Sequence, residues 1–466
     1  MTTEIKHHRR IQFLLLLFFF LGLKDIQMPP LDKHDWRQTL TLSIAENFLD
    51  HPNLFYPRTD IGGATEGIMA SEFPAFNYLL SLFFRLLGTH YWFGRLLNWS
   101  ISCIGLWFFY RLTVRVLNPR AGYFALLALM GSIVFEYARK SMPDTFALST
   151  TLIGVSLLWS YLESQQKRYL FGGLVLTAVG ILSKIPFVLL LTFLIIPFLQ
   201  NEFSPKAKRN LVLGLVPVMI SVVFWYGYWM PYLLEQFKNQ LIWPVSLEEG
   251  WRIVVHDYGK DSWSMLAEAP FHYKIPFLLA VMGLSLLLTG QDESIKFFVG
   301  TYSLGFFAFV LKTGIVFPTH DYYIIPLVPL LAILIGNFLD RLPLNQVYVH
   351  GIALVIFATG WMATRNKAQI PPKNRVYLME LPSLMETYTS QTDKIMVNNG
   401  QFNPTMMFWA KRRGWTVNQD VPYKTDWMPD FKRDGLQYVL IDRHLNDSIL
   451  PYHLMFENEH FRLYRP

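Results

Sequence analysis

Three acids from separate parts of the chain carry the most chemical promise: Asp35, Glu72 and Asp144. Asp35 opens the run His34-Asp35-Trp36-Arg37-Gln38. A carboxylate held there near a membrane surface can accept a proton from a hydroxyl while that oxygen attacks an anomeric carbon. Glu72 lies in Ser71-Glu72-Phe73-Pro74, and Asp144 ends Arg139-Lys140-Ser141-Met142-Pro143-Asp144. Each acid also has a plainer reading. Asp35-x-x-Gln38 has the spacing of a helix N-cap with its capping-box partner. Glu72 reads as an ordinary interfacial acid, and Pro143-Asp144 suits the first turn of a helix. Five cations accompany them: Arg139, Lys140, Lys184, Lys312 and His320, the last followed by Asp321-Tyr322-Tyr323. Such groups stabilise a departing phosphate through charge and hydrogen bonds. Cys103 is the one cysteine, and no His-x-x-x-His pair occurs. No protein-built metal site is therefore read, while a divalent cation bridging Asp35 or Asp144 to a phosphate stays open.

The elements that must position these groups follow from composition. Of 466 residues, 52% are hydrophobic and 16% charged, against about 25% charged in soluble domains. The deficit is uneven: 24 of the 101 residues from 366 to 466 are charged, but only 51 of the first 365. A disordered chain and one large soluble enzyme are excluded. The pattern fits a polytopic α-helical membrane protein over residues 1–365, followed by a small soluble α/β domain over 366–466. The net charge is +7. Its basic residues sit between apolar runs, which points to membrane orientation and not to nucleic acid.

Eleven spans are expected, at 11–23, 91–116, 121–137, 143–162, 169–183, 186–199, 211–229, 273–289, 295–311, 322–339 and 347–363. The first is short and follows Lys6-His7-His8-Arg9-Arg10, as a signal peptide would, but no small-residue cleavage site follows it. Residues 74–87 read as a helix along the interface, interrupted by Asn77 and Arg85. Alternate loops carry Arg111/Arg115/Arg120, Lys167/Arg168, Lys206/Lys208/Arg209, Lys296 and Arg341, and by the positive-inside rule face the cytoplasm. The long loops 24–73 and 230–272, and with them residues 366–466, then lie on the outer, periplasmic side of the inner membrane. All three acids fall on that face at one depth, where lone acids are costly and often functional. ATP and nucleotide sugars are absent there, so an activated donor must arrive on a lipid carrier. Within 366–466, strands are expected at 394–398 and 438–442 and a helix at 404–413, stopped by Gly414.

The order of these features resembles the membrane-embedded GT-C glycosyltransferases, in the branch of protein O-mannosyltransferases and aminoarabinose lipid A transferases. The residues that carry the resemblance are Asp35-Trp36-Arg37-Gln38, Glu72-Phe73-Pro74-Ala75-Phe76-Asn77-Tyr78-Leu79, the Arg95 helix, Pro143-Asp144, Ser183-Lys184-Ile185-Pro186, and His320-Asp321-Tyr322-Tyr323 before Pro326 and Pro329. The resemblance implies a polyprenyl-phosphate sugar donor, an outer-face site and inverting transfer. It makes Asp35 the base, gives Glu72 and Asp144 to the acceptor or sugar, and turns Lys184, His320 and Tyr322 or Tyr323 towards the donor phosphate. The sequence departs from the family where it has His34 before the acid and Phe73 after Glu72. Transfer of aminoarabinose to lipid A is therefore not implied; the acceptor is a lipid, a glycan or a protein.

Two other classes compete. A transporter or flippase predicts charged, interrupted spans and inverted repeats, whereas the charges here cluster at span ends. A lipid-linked glycan polymerase or ligase would draw Arg252, His256 and His272 from the loop 230–272.

Overall fold

The computed structural model describes residues 2–239, 244–368 and 371–466. Residues 240–243 of the long loop and 369–370 at the composition boundary lie outside the described residues, as do the side chains of Lys6, His7 and His8 in the basic cluster. The chain forms two compact units. One comprises Met1–Ile26, Arg95–Gly227 and Trp243–Gln369; the other comprises Gln27–Gly94, Tyr228–Ile242 and Ile370–Pro466.

The first unit is helical. Among the described residues five helices are long and apolar enough to cross a membrane: Pro143–Ser164, Pro205–Phe237, whose residues from Tyr228 on belong to the second unit, Glu293–Thr313, Asp321–Arg341 and Gln346–Arg365. Ile185–Leu199 and Lys274–Leu288 are shorter apolar helices. Among the described residues fewer helices have that length and apolarity than the eleven expected runs, for local reasons. The run 121–137 breaks into Pro119–Met130 and Ile133–Ala138, because Gly131 ends the first piece and the Ser132 hydroxyl accepts from Val134 N at 3.2 Å to start the second. Residues Ile185–Leu194 wind as a 3₁₀ helix before the short α-helix Ile195–Leu199. Trp92–Val116 is 25 residues long but carries Arg95, Arg111 and Arg115.

Pro143–Ser164 is almost wholly buried, 94% of its apolar stretch lying inside the structure. Its neighbour Lys167–Ser183 packs against it through small residues, the usual solution between helices in lipid. A Cβ on Gly154 would stand 2.4 Å from Thr177 Oγ1 and 2.6 Å from Thr177 N, and one on Gly173 2.7 Å from the Leu158 side chain. Backbone cannot yield as a side-chain tip can. Gly154→Val is expected to cost about 1–3 kcal/mol or more by overpacking. Thermal unfolding in detergent reads this, and an unchanged midpoint would argue against the close approach. By contrast, Leu213, Ile220 and Val223 on Pro205–Phe224 are 61–66% exposed, an apolar face suited to lipid.

The second unit holds the sheet. Its strands are β1 (Lys394–Val397), β2 (Arg413–Thr416), β3 (Leu436–Asp442), β4 (His453–Glu457) and β5 (Phe461–Arg465), in the order β2-β1-β3-β5-β4. β1 pairs in parallel with β2 and β3, while β5 runs antiparallel to β3 and β4. Met396, Val439, Ile441 and Tyr464 anchor its core. The two expected strands are present, and the expected helix is shorter, Thr405–Ala410, because the chain turns into β2 at Arg413. The loop after the first helix joins the same unit. Gly62 and Gly63 N–H both donate to Gly414 O, at 3.0 and 2.8 Å, and Gly414 N–H donates to Asp60 O at 3.0 Å. Helix Asp35–Asp50 meets helix Thr405–Ala410, with Thr39 and Thr405 hydroxyls 3.3 Å apart. Ala75–Leu87 is amphipathic: Phe76, Leu80 and Phe84 are buried while Leu82 and Leu86 are exposed.

Candidate active site

In the second unit the chemistry begins at the start of helix Asp35–Asp50. His34, with φ 59°, turns the chain into the helix, so Asp35 is its first helical residue and not its cap. The capping-box reading is thereby corrected. The Gln38 amide donates to Asp32 Oδ1 at 2.7 Å. Asp32 is itself buried. Asp35 Oδ1 accepts from Trp36 N–H at 2.8 Å, and Oδ2 accepts from the Arg375 guanidinium. Burial pushes the Asp35 carboxyl above the ordinary carboxylate value, against the opposing pull of Arg375 and the Trp36 N–H.

Glu72 is otherwise engaged. It pairs with Arg37, two residues after Asp35 on the same helix, in an ion pair whose side chains are 6% and 9% exposed. Asn77 Nδ2 ties the next helix to the first through Thr41 O, at 2.9 Å. Elsewhere in this unit Asp60 accepts from Ser43 at 2.8 Å and Asn47 at 3.0 Å, and burial raises its carboxyl.

In the first unit a second constellation is built around the start of Pro143–Ser164. Asp144 Oδ1 lies 3.5 Å from Lys184 Nζ. Lys184 occupies the break between Lys167–Ser183 and the 3₁₀ helix Ile185–Leu194, where the chain is extended. Its ammonium lies 6.0 Å from the Tyr322 ring centroid. The Tyr322 ring meets those of His320 at 5.6 Å, Tyr323 at 4.9 Å and Tyr137 at 5.8 Å. The Tyr137 hydroxyl donates to Asp321. Six of the expected residues, Asp144, Lys184, His320, Asp321, Tyr322 and Tyr323, are thus brought together.

Arg139 and Lys140 lie on the turn before Pro143. Arg139 donates to Lys24 O and stands 5.8 Å from the Phe135 ring; Lys140 is fully buried. Asn98 fixes this turn. Its amide nitrogen is 3.1, 2.9 and 3.0 Å from the carbonyls of Tyr137, Lys140 and Met142, and its oxygen accepts from Thr145 at 3.0 Å. Lys312 is engaged elsewhere. It donates to Val245 O at 3.1 Å, and Val245 N–H returns the bond to Lys312 O at the same distance. Of the residues that a ligase would use, Arg252 lies 3.8 Å from Asp257 and His272 lies 3.0 Å from Thr364 Oγ1. Among the described residues no group of three or more His, Cys, Asp or Glu is placed to hold a metal ion.

Sequence reasoning missed Tyr137, Asn98 and Arg375. A polar Asn98 inside an apolar run was the available signal for one of them. An apolar groove of about 490 Å³ also lies in the first unit. Trp263, Phe277, Val299 and Phe306 line it, together with Phe317 and Leu327, which flank the His320–Tyr323 segment in the chain. Ser262 and Ser303 bring hydroxyls to an otherwise apolar lining.

Residues 71–229 match the family model described as dolichyl-phosphate-mannose-protein mannosyltransferase. The stretch includes Glu72, Asp144 and Lys184. Among curated proteins no sequence match is found. Solved structures are similar over nearly the whole chain. ArnT from Cupriavidus metallidurans in the apo state aligns with a TM-score of 0.61 at 11% identity, covering 99% of this chain and 98% of that one. ArnT from the same organism bound to undecaprenyl phosphate gives 0.60 at 12%, covering 97% and 96%. An Archaeoglobus fulgidus oligosaccharyltransferase, in complex with Zn and sulfate, gives 0.58 at 11%, covering 92% of this chain and 67% of that one. At these identities the likeness is one of fold.

Proposed function

We propose, on the premise that the chain has the fold of the membrane-embedded GT-C glycosyltransferases, that it moves a sugar from a polyprenyl-phosphate carrier to an acceptor hydroxyl on the outer face of the membrane. The observation that carries this reading is a pairing along one stretch of chain. Residues 317–327 supply His320, Tyr322 and Tyr323 to the polar constellation and Phe317 and Leu327 to the apolar groove. A ligand with a phosphate at one end and a long hydrocarbon at the other has that division of chemistry. ArnT has been solved with undecaprenyl phosphate, a ligand of this kind.

The reaction is a single displacement. Asp35 takes the proton of the acceptor hydroxyl, the oxygen attacks the anomeric carbon, and the polyprenyl phosphate leaves with the bonding pair. Lys184 and His320 meet the charge that develops on the leaving oxygen. A phosphate monoester leaves readily, so no protonating acid is needed, unlike the two-carboxylate arrangement of glycosidases. Asp144 holds Lys184 in place through their ion pair. The soluble residues 366–466 face outwards, in keeping with the distribution of Lys and Arg among the loops.

The test is transfer of radiolabel from a polyprenyl-phosphate monosaccharide to membrane-derived acceptors by the purified protein. A new glycosidic bond is expected. Label carried across a vesicle membrane without bond formation would replace the reading with transport, and activity only with lipid-linked oligosaccharide would replace it with ligation.

Asp35 also sets the pH dependence. A base acts only when ionised, and burial raises its proton affinity above the ordinary value of 3.8. Turnover should therefore be full above the raised value and fall as pH drops through it, at a higher pH than an ordinary aspartate would give. The acid limb of kcat/KM against pH reads this directly; a limb at or below the ordinary value would exclude Asp35 as its source.

A further inference from the structure

Asp35 and Arg375 are 340 positions apart in sequence, yet the Arg375 guanidinium donates to Asp35 Oδ2. Arg375 belongs to a 3₁₀ segment, Lys373–Glu380, that leads into the soluble residues. Two features hold that segment. Leu378 is buried, and the Tyr377 hydroxyl donates to Asp442 Oδ2 at 2.6 Å. The Tyr377 ring also lies against His444, His460 and Phe461, at centroid distances of 4.6, 4.8 and 5.5 Å. Asp442, at the end of β3, is fixed in turn. Its N–H donates to Asn398 Oδ1 at 2.8 Å, and its Oδ1 accepts from His444 N–H at 3.0 Å. The end of the central strand β3 thus holds Tyr377, and Tyr377 holds Arg375 two residues before it.

We propose that Arg375 is the positioning residue of the base: the C-terminal sheet, acting through Tyr377, delivers a guanidinium that orients the Asp35 carboxylate and holds it ionised. The inference rests on Asp35 being the proton acceptor. The geometry favours positioning over a surface ion pair of little consequence. The Asp35 and Arg375 side chains are 19% and 32% exposed, so solvent screens the contact only in part. Asp35 is held from two directions, by Trp36 N–H on Oδ1 and by Arg375 on Oδ2, which leaves its remaining lone pairs for a hydroxyl. Among the described residues the buried Arg375 Nε has no hydrogen-bond partner, and the terminal amino group donates to Asp35. Among the described residues Asp32 also faces Asp35 and repels it; His34 is its titratable neighbour in sequence. Arg375 is the nearby positive charge that opposes both burial and Asp32.

The experiment uses the full chain in detergent and two readouts. The first is the pH dependence of Asp35 labelling by N,N′-dicyclohexylcarbodiimide, which attacks protonated carboxyls, followed by peptide mass spectrometry. The second is the acid limb of transfer from a polyprenyl-phosphate monosaccharide. Arg375→Gln should move both midpoints upward by about one to two pH units. Arg375→Lys should restore much of the shift, since it keeps the charge but loses the planar fork. Tyr377→Phe should shift them the same way by less. Retained thermal midpoints show that the variants fold, and the lysine rescue separates charge from fold. Midpoints unchanged in Arg375→Gln would overturn the inference while leaving Asp35 as base. Full turnover in Asp35→Asn, with the labelling midpoint of Arg375→Gln still shifted, would instead overturn the base role and with it any catalytic part for Arg375.

Discussion

Asp35→Asn should lower sugar transfer by roughly two to four orders of magnitude, the usual worth of a positioned general base. The substitution keeps the size and planarity of the side chain and can still accept from Trp36 N–H, so the start of helix Asp35–Asp50 should survive. It removes the one property that the reaction needs, a carboxylate able to take a proton. Donor binding depends on other residues, Lys184, His320 and the groove around Phe306 and Phe317 in the proposed scheme, and should be unaffected. Binding of labelled polyprenyl phosphate and single-turnover transfer, measured on one preparation, separate the two effects. Near-normal turnover in Asp35→Asn would remove the base from the mechanism.

Glu72→Ala should act on folding first. Its partner Arg37 is 6% exposed, so truncating the acid leaves a guanidinium buried without its counter-charge. Breaking a buried pair from one side costs about 3–5 kcal/mol, whereas replacing both partners with apolar residues of similar size is often close to neutral. The double variant Arg37→Met/Glu72→Leu should therefore recover most of the loss. Thermal unfolding of the single and double variants in detergent gives the comparison. A Glu72→Ala protein as stable as the parent would show that the pair contributes nothing, and would return Glu72 to the acceptor or sugar site that the family resemblance gave it.

The sequence carried the GT-C resemblance, and the structure and family comparisons bear it out. Its source was composition and the order of short motifs, which survive at 11% identity because a spanning helix asks only for apolar length. Element boundaries were less legible. Nothing in the hydropathy of residues 121–137 marks the break at Gly131-Ser132, since a serine hydroxyl capping Val134 is a local event inside an apolar run. Strands β2, β4 and β5 escaped notice although they are as long as β1 or longer; in β4 no residue is buried, so it lacks an apolar rhythm. The polar constellation was partly legible. Asp144, Lys184 and the His320–Tyr323 segment stood at span ends, where charge is visible against hydrocarbon. Arg375 was invisible for a different reason. Its importance lies in a partner 340 residues away, and no local pattern encodes that distance.

The bonds of Gly62 and Gly63 to Gly414 have a bearing on modularity. Residues 58–68 lean on the edge of β2, and the Asp35–Asp50 helix leans on Thr405–Ala410. In a protein truncated before residue 370, the stretch bearing Asp35 would lose its scaffold. Chimaeras made by exchanging tails between relatives would meet the same obstacle unless residues 27–94 travelled with the graft. The heritable cassette is a discontinuous one, and sequence change in the early loop should be constrained by the far end of the gene product.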